Sequence, residues 1–295
     1  MDRRKFIVTT GGAVLAPMAM AGAAGNQEGA VKGKFKISIA AWTWHKMFER
    51  GEITMMDQIG LAKKAGGVGL ELVNRFFPSP QYDYLKAFLK RAEDEGICIL
   101  LIMCDDEGNM NDPDLKERNQ SVINHRKWLD IAAVLGCHSI RCNVGYARVT
   151  PEEGLRNAAE SFYDLCQYAK PYGLNVIIEN HGGMSSDPEW LVSLMKTVGL
   201  DNFGTLPDFG NFSEGQDIYG AVKAMMPYAK AVSAKSYDFD AAGNETTIDY
   251  EKMIPIVLEA GYHEYLGVEF EGDRMSELDG ADAGVKLLKR FQETG

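Results

Sequence analysis

The chain has no Cys-x-x-Cys pair, and its five cysteines are an odd number. A disulfide framework needs even pairing, and a redox dithiol or zinc ribbon needs the close pair, so neither organises this protein. Cys98, Cys104, Cys137, Cys142 and Cys166 are therefore expected as buried free thiols. Past the N-terminal segment, no apolar run approaches the ~20 residues of a membrane span. Basic excess is absent as well. The formal net charge is −11, whereas a non-specific nucleic-acid binder needs a basic face to displace counterions from phosphates. The dinucleotide fingerprint is also missing. Gly66-Gly67-Val68-Gly69 precedes an apolar run instead of following one, so it reads as a turn and not as a phosphate cradle.

What is present is an ordinary globular balance, 45% hydrophobic and 25% charged over 295 residues, enough for one large core. The N-terminus differs from the rest. Asp2-Arg3-Arg4-Lys5-Phe6-Ile7 sets paired arginines before a weakly apolar run, and Ala21-Gly22-Ala23 is a small-residue cleavage pattern. Residues 1–23 read as a twin-arginine-like export signal, 24–33 as a disordered leader, and 34–295 as the folded domain. Processing removes one acid and three bases, so the mature protein is more acidic still. The expectation is an exported bacterial protein, periplasmic or extracellular, with no stable membrane insertion after processing. Free thiols fit a protein that folds in a reducing cytoplasm before export.

From residue 35 onward, short β-branched runs alternate with helical periodicity. Strands are expected over 35–42, 68–73, 97–104, 138–144, 174–179, 203–208, 231–236 and 265–270. Helices are expected over 53–65, 82–95, 114–135, 151–172, 187–198, 218–230, 249–260 and 278–292. Glycine closes most of them, which supplies the left-handed cap that turns the chain into the next strand. Eight such units in a single domain predict an α/β protein of the (β/α)8 TIM-barrel class, with an open doubly wound sheet as the alternative. The longer polar loops follow strands, on the face where barrels keep their chemistry.

The stretch Leu174-Asn-Val-Ile-Ile-Glu-Asn-His-Gly-Gly183 shows how chemistry is delivered there. A buried run ends in Glu179, His181 follows, and the chain then turns on glycine. Phe203 to Asn211 delivers Asp208 and Asn211 in the same way, and Tyr265 to Gly272 delivers Glu269 and Glu271. Other strand ends carry Trp42, Trp44 and His45; Glu71 and Asn74; Asp105 and Asp106; Arg141 and Asn143; and Lys235. Carboxylates converging on one mouth repel unless a cation neutralises them, and hard oxygen donors suit Mn2+ or Mg2+ better than Zn2+. Trp42 and Trp44 also suit an aromatic wall for the C–H face of a sugar.

These motifs resemble the xylose isomerase-like superfamily, the sugar phosphate isomerase/epimerase group. The carriers are Gly69-Leu-Glu-Leu-Val73, Ile178-Glu-Asn-His-Gly-Gly183, Asp208-Phe-Gly-Asn211 and Gly267-Val-Glu-Phe-Glu-Gly272. The resemblance covers essentially the whole mature chain. It implies a barrel acting on a small carbohydrate and a divalent metal held by Glu179, Asp208 and Glu269. The family's fourth ligand is the histidine of a His-x-Lys-Asp motif on strand seven. This chain reads Ser233-Ala-Lys235-Ser236 there, keeping the lysine alone. Three carboxylates with water, or with Glu271 or His181 added, then remain to complete a metal shell.

The chemistry expected of such a site is metal-assisted proton transfer next to a carbonyl, in a ketose or related sugar. Glu179 and Glu269 are the expected acid–base pair, and Lys235 the group that stabilises developing oxyanion charge. His181, Asn211, Trp44, Glu71, Arg141 and Glu271 are the expected substrate contacts. Isomerase or epimerase is the first reading. A lyase or hydratase acting on a 3-keto-glycoside or keto-inositol begins with the same proton abstraction. A sugar-binding barrel without turnover is the reading that the two strand-seven serines favour. The family's DNA-repair endonuclease branch is disfavoured by the acidic, exported chain. Oligomeric state stays open, with a homo-oligomer compatible.

Overall fold

The computed structural model describes residues 34–293. The signal expected over 1–23 and the leader expected over 24–33 lie outside the described residues. Eight parallel strands form the sheet: β1 (Lys36–Ala40), β2 (Gly69–Val73), β3 (Cys98–Cys104), β4 (Ser139–Cys142), β5 (Asn175–Glu179), β6 (Phe203–Leu206), β7 (Val232–Ser236) and β8 (Tyr265–Phe270). Their order is β6-β5-β4-β3-β2-β1-β8-β7, so every laddered pair is a chain neighbour or the β1–β8 contact that curls the sheet. The remaining pair, β6 and β7, meets through two isolated parallel bridges, Thr205 with Ala229 and Asp208 with Ser233. The ladder is thin there because Pro207 follows β6 and has no N–H to donate. Instead, Ser233 N donates to Pro207 O at 3.0 Å and Phe209 N to Ser233 O at 3.2 Å.

A short helix, α1 (His45–Glu49), precedes the outer layer: α2 (Asp57–Ala65), α3 (Tyr82–Glu95), α4 (Leu115–Leu135), α5 (Pro151–Ala169), α6 (Pro188–Val198), α7 (Ile218–Met225), α8 (Tyr250–Glu259) and α9 (Glu277–Glu293). Their starts are set by side-chain caps. Asp114 Oδ1 accepts from Lys116 N, Thr150 Oγ1 from Glu153 N, and Asp187 Oδ1 from Glu189 N. Gly96 and Gly136 end α3 and α4 at φ of 74° and 72°, a left-handed turn that costs other residues about 1 kcal/mol or more.

Side chains on each strand alternate between two cores. Outward residues such as Ile37, Leu70, Ile102, Ile140, Val176, Val232 and Leu266 meet the helices in the larger apolar layer. Inward ones, Ala40, Val73, Leu101, Met103, Ile177 and Leu206, plug the barrel. Above and below this small plug the interior is polar. Ser38, Glu71, Arg141, Glu179, Asp208, Ser233, Lys235 and Glu269 are all buried.

Three expectations need correction. The first strand stops at Ala40, and Ala41–Trp44 is a 3-10 turn. The helices expected over 151–172 and 218–230 end early, at Ala169 and Met225, each passing into a 3-10 turn that contains a proline, Pro171 or Pro227. The cysteines are free, but Cys98 is exposed, at the outer end of β3.

Glu71 points into the barrel from β2, opposite Gly267 on β8. A Cβ at Gly267 would lie 2.3 Å from Glu71 Oε1 and 2.8 Å from its carboxyl carbon. Gly267→Ala should therefore destabilise the barrel by about 1–3 kcal/mol through overpacking, read as a lower urea midpoint at unchanged slope. Because the clash is with one side chain, Gly267→Ala combined with Glu71→Ala should recover part of that loss. Additive losses would show that Gly267 matters for another reason.

Candidate active site

Period-two alternation explains how the site assembles. On β5 the inward set is Asn175, Ile177 and Glu179; on β8 it continues Gly267, Glu269 and Glu271; on β7 it is Ser233 and Lys235; on β4 it is Ser139 and Arg141. All end at the C-terminal mouth. Asp208 lies just past β6, beyond Pro207, and is held by a two-way clasp. Its N donates to Asn180 Oδ1 at 2.7 Å, and Asn180 Nδ2 donates to Asp208 O at 3.0 Å.

One oxygen from each of Glu179, Asp208 and Glu269 lies within 4.8 Å of the others. Asp208 Oδ1 accepts from Gly210 N and Asn211 N, both at 2.8 Å, and its Oδ2 accepts from Ser233 Oγ at 2.7 Å. Glu179 Oε1 accepts from Asn211 Nδ2 at 3.0 Å. Glu179 Oε2 and Glu269 Oε2 are buried and accept no hydrogen bond from the described residues. Three carboxylates with two spare oxygens fit a hard divalent cation as ligands. Lys235 Nζ stands beside them, 2.5 Å from Glu269 Oε1, 3.6 Å from Asp208 Oδ2 and 3.2 Å from Glu271 Oε2.

The second cation is Arg141. Its Nη1 donates to Asp105 Oδ1 at 2.8 Å and to Asn143 Oδ1 at 3.0 Å. Its Nε lies 2.9 Å from Glu179 Oε2, an ion pair out of line for a hydrogen bond. Burial pushes the Glu179 carboxyl up, against the pull of Arg141, and Glu269 adds to the push. Burial likewise pushes Asp208 up, against Lys235. For Lys235, burial works against the charge, but Asp208, Glu269 and Glu271 overcome it and hold the ammonium well above its ordinary value.

Of the expected site residues, Glu179, Asp208, Glu269, Lys235, Arg141, Asn211 and Glu271 come together at the mouth. His181 is exposed at its rim, where its carbonyl accepts from Tyr146 Oη at 2.8 Å. Two do not join them. Trp44 is fully buried in the outer apolar layer. A 3-10 turn has three residues per turn, so residues two apart diverge, and the mouth receives Trp42 instead. Trp42 stacks on His45 at 4.7 Å and on Phe76 at 6.1 Å, and its Nε1 donates to Glu271 Oε1. Glu71 lies deeper, accepting from Ser38 Oγ at 2.6 Å, and lines a cavity of about 250 Å³ with His138, Asn175, Lys230 and Tyr265. The mouth itself is a cleft of about 280 Å³, lined by Trp42, Arg75, Asp105, Arg141, His181 and Glu269 among others. The sequence reading gave no role to Asn180, named Asp105 only as a strand-end acid, and named Ser233 only as the residue at the family's histidine position. The available signal was parity: Ser233 stands two before Lys235 on one strand face.

The chain belongs to the xylose isomerase-like TIM barrel family, whose model matches residues 59–291. Within that class, D-psicose 3-epimerase of Clostridium cellulolyticum H10, solved with D-tagatose, superposes with a TM-score of 0.72. It shares 16% identity, covering 87% of this chain and 99% of that one. The 3-keto-D-glucoside 4-epimerase of E. coli superposes at 0.69 with 12% identity, covering 88% and 99%. At such identities the likeness is one of fold. In sequence, 66 residues are 35% identical to the C-glycoside deglycosidase alpha subunit of Arthrobacter globiformis, covering 22% of this chain and 18% of that relative.

Burial raises Glu71 from its ordinary 4.5 to about 8. Between these values the folded state keeps a proton that the unfolded chain has lost, so stability falls as pH rises through that window. Glu71→Gln has no proton to lose. Its urea midpoint relative to wild type should climb between about pH 5 and 8. A flat difference would mean that Glu71 is already ionised in the folded barrel.

Proposed function

We propose that this protein is a sugar isomerase or epimerase that moves a proton next to a carbonyl. The observation that carries the reading is the pairing of two buried carboxylates, Glu179 and Glu269, with two buried cations, Arg141 and Lys235, at one mouth. Proton abstraction from a hydroxyketone needs a base near neutral pH and positive charge where the enediolate oxygen forms. The raised Glu179 carboxyl meets the first need. Lys235 and Arg141 meet the second, and their charges are fixed before substrate arrives. Glu179 takes the proton from one face of the carbon and Glu269 returns one from the other, which inverts the centre. With one carboxylate serving both neighbouring carbons, the same site isomerises.

Glu179, Asp208 and Glu269 would hold a divalent cation, with Mn2+ or Mg2+ best suited to an all-oxygen set. When bound, it acts as a Lewis acid on the substrate's carbonyl and adjacent hydroxyl oxygens. The cleft of about 280 Å³ falls below the ~300–1,000 Å³ of sites for drug-sized ligands, which suits a single sugar ring. Trp42, backed by His45 and Phe76, offers the C–H face of that ring a flat wall, and Asn211, His181 and Glu271 offer hydrogen bonds at its edge. The twin-arginine-like pattern of the N-terminal sequence supports an activity outside the cytoplasm, where free or glycosidic sugars would be the accessible substrates.

A second reading is a lyase acting on a 3-keto-glycoside. The match to the deglycosidase alpha subunit favours it. So does the outer rim, where Arg75 and Tyr146 are exposed and leave room for a group beyond the first ring. Proton abstraction is shared, and what differs is whether a leaving group departs from the neighbouring carbon.

The test is incubation in deuterated water with free ketoses and with 3-keto-glycosides, read by mass spectrometry and NMR. Deuterium in an epimerised or isomerised sugar supports the first reading, and release of the aglycone supports the second. Binding without deuterium entry or product in any substrate would leave a non-catalytic barrel. Glu179→Gln and Glu269→Gln should each lower turnover by about 10²–10⁴ while the circular-dichroism spectrum stays unchanged. Wild-type turnover in either variant removes that residue from the proton transfer.

A further inference from the structure

We propose that the Lys235 ammonium is a built-in cation of this barrel: it competes with a divalent cation for the same carboxylate groups and must be displaced for one to bind. β7 has two inward positions at the mouth, 233 and 235. The first carries a serine whose hydroxyl donates to Asp208 Oδ2 at 2.7 Å, so it adds no charge to the cluster. The second carries Lys235, 1% exposed, with Nζ 2.5 Å from Glu269 Oε1 and 3.6 Å from Asp208 Oδ2. The ammonium thus touches two of the three carboxylates of the cation-fitting cluster. A metal ion and an ammonium repel each other across those carboxylates, because like charges in a water-poor site are weakly screened.

The surroundings fix the lysine where it competes. A Cβ at Gly210 would lie 2.7 Å from Lys235 Cγ, so the stem is packed along the Asp208 loop. Tyr250 Oη donates to Lys235 O at 2.9 Å and anchors the backbone. The barrel also supplies a second seat. Glu271 Oε2 lies 3.2 Å from Nζ and outside the cluster, while Trp42 Nε1 holds its other oxygen. Displacement therefore moves the ammonium from Glu269 to Glu271 without leaving it unpaired. Glu269 Oε2, buried and without a hydrogen bond among the described residues, is the oxygen that a divalent cation gains, together with Glu179 Oε2, which faces Arg141 Nε at 2.9 Å. The same centre thus holds its carboxylates together with either of two cations, and the divalent one binds only against the cost of moving Lys235.

The experiment is Mn2+ titration by calorimetry on chelator-stripped full-length protein, with thermal melts with and without Mn2+. It compares wild type, Lys235→Met, Lys235→Arg, and Lys235→Met combined with Glu269→Gln. Lys235→Met should bind Mn2+ at least tenfold more tightly than wild type and recover in Mn2+ the melting temperature that it loses without it. Lys235→Arg keeps the charge and should bind as weakly as wild type. Removing Glu269 should abolish the gain, which locates the ion at the cluster. Should Lys235→Met not fold, Lys235→Gln reads the same quantity, since it keeps a donor toward Glu269 without the charge. Equal Mn2+ affinity in wild type and the uncharged variant, whether tight or weak, overturns the proposal. The readouts are binding and melting, so the outcome does not depend on which reaction the enzyme performs.

Discussion

Burying charge inside a barrel is tolerable only when the opposite charge is buried with it. Glu71, Glu179, Asp208 and Glu269 lie at 0–4% exposure, and an isolated carboxylate at such depth costs several kcal/mol. Arg141 and Lys235, at 4% and 1%, enter from neighbouring strands and divide these acids between them. Arg141 spans Asp105 and Glu179, and Lys235 spans Asp208, Glu269 and Glu271. Much of the local construction serves this balance. Gly267 leaves room for Glu71, Asn180 fixes Asp208, and Ser233 donates to the Asp208 oxygen that Lys235 reaches only at 3.6 Å. Glu71 has no cation in contact and carries the largest burden of burial, which is why its carboxyl shifts so far.

The arrangement also divides the barrel interior by depth. Below, Glu71 with Ser38 faces the N-terminal cavity. In the middle, Ala40, Val73, Leu101, Met103, Ile177 and Leu206 form a thin apolar plug. Above it, the charged mouth opens toward Trp42 and His181. The plug keeps water from the underside of the mouth, so the cations there act across a short, poorly screened distance. That is the condition under which fixed charges stabilise a developing oxyanion most.

Much of this was legible in the sequence because strand periodicity is a local property. Glu179, Lys235 and Glu269 fall at inward positions of apolar runs, and the (β/α)8 fold follows from the repeat of strand and helix. Asp208 was legible as a strand-end acid, although its strand stops two residues earlier, at Leu206, just before Pro207. Of the two tryptophans read as an aromatic wall, only Trp42 reaches the mouth, because alternation does not extend past Ala40 into a 3-10 turn, where the period changes from two to three. Glu71 shares the inward parity of the site residues, but parity gives the face and not the depth. Its place below the plug depends on strand stagger, which no single strand records. The partnership of Ser233 with Asp208 and the clasp by Asn180 join loops that are 25 and 28 residues apart in sequence, and no local pattern carries such a pairing.

The seam between β6 and β7 bears on all of this. Elsewhere the strands are joined by continuous ladders, but here two bridges and a few main-chain bonds around Pro207 close the wall. Asp208 and Lys235 stand on opposite sides of that seam. The most thinly bonded seam among the described strands therefore runs through the charged mouth, so that any widening of the wall there would lengthen the Asp208–Lys235 ion pair. An opening of this thinly bonded seam would alter how strongly a lysine is held.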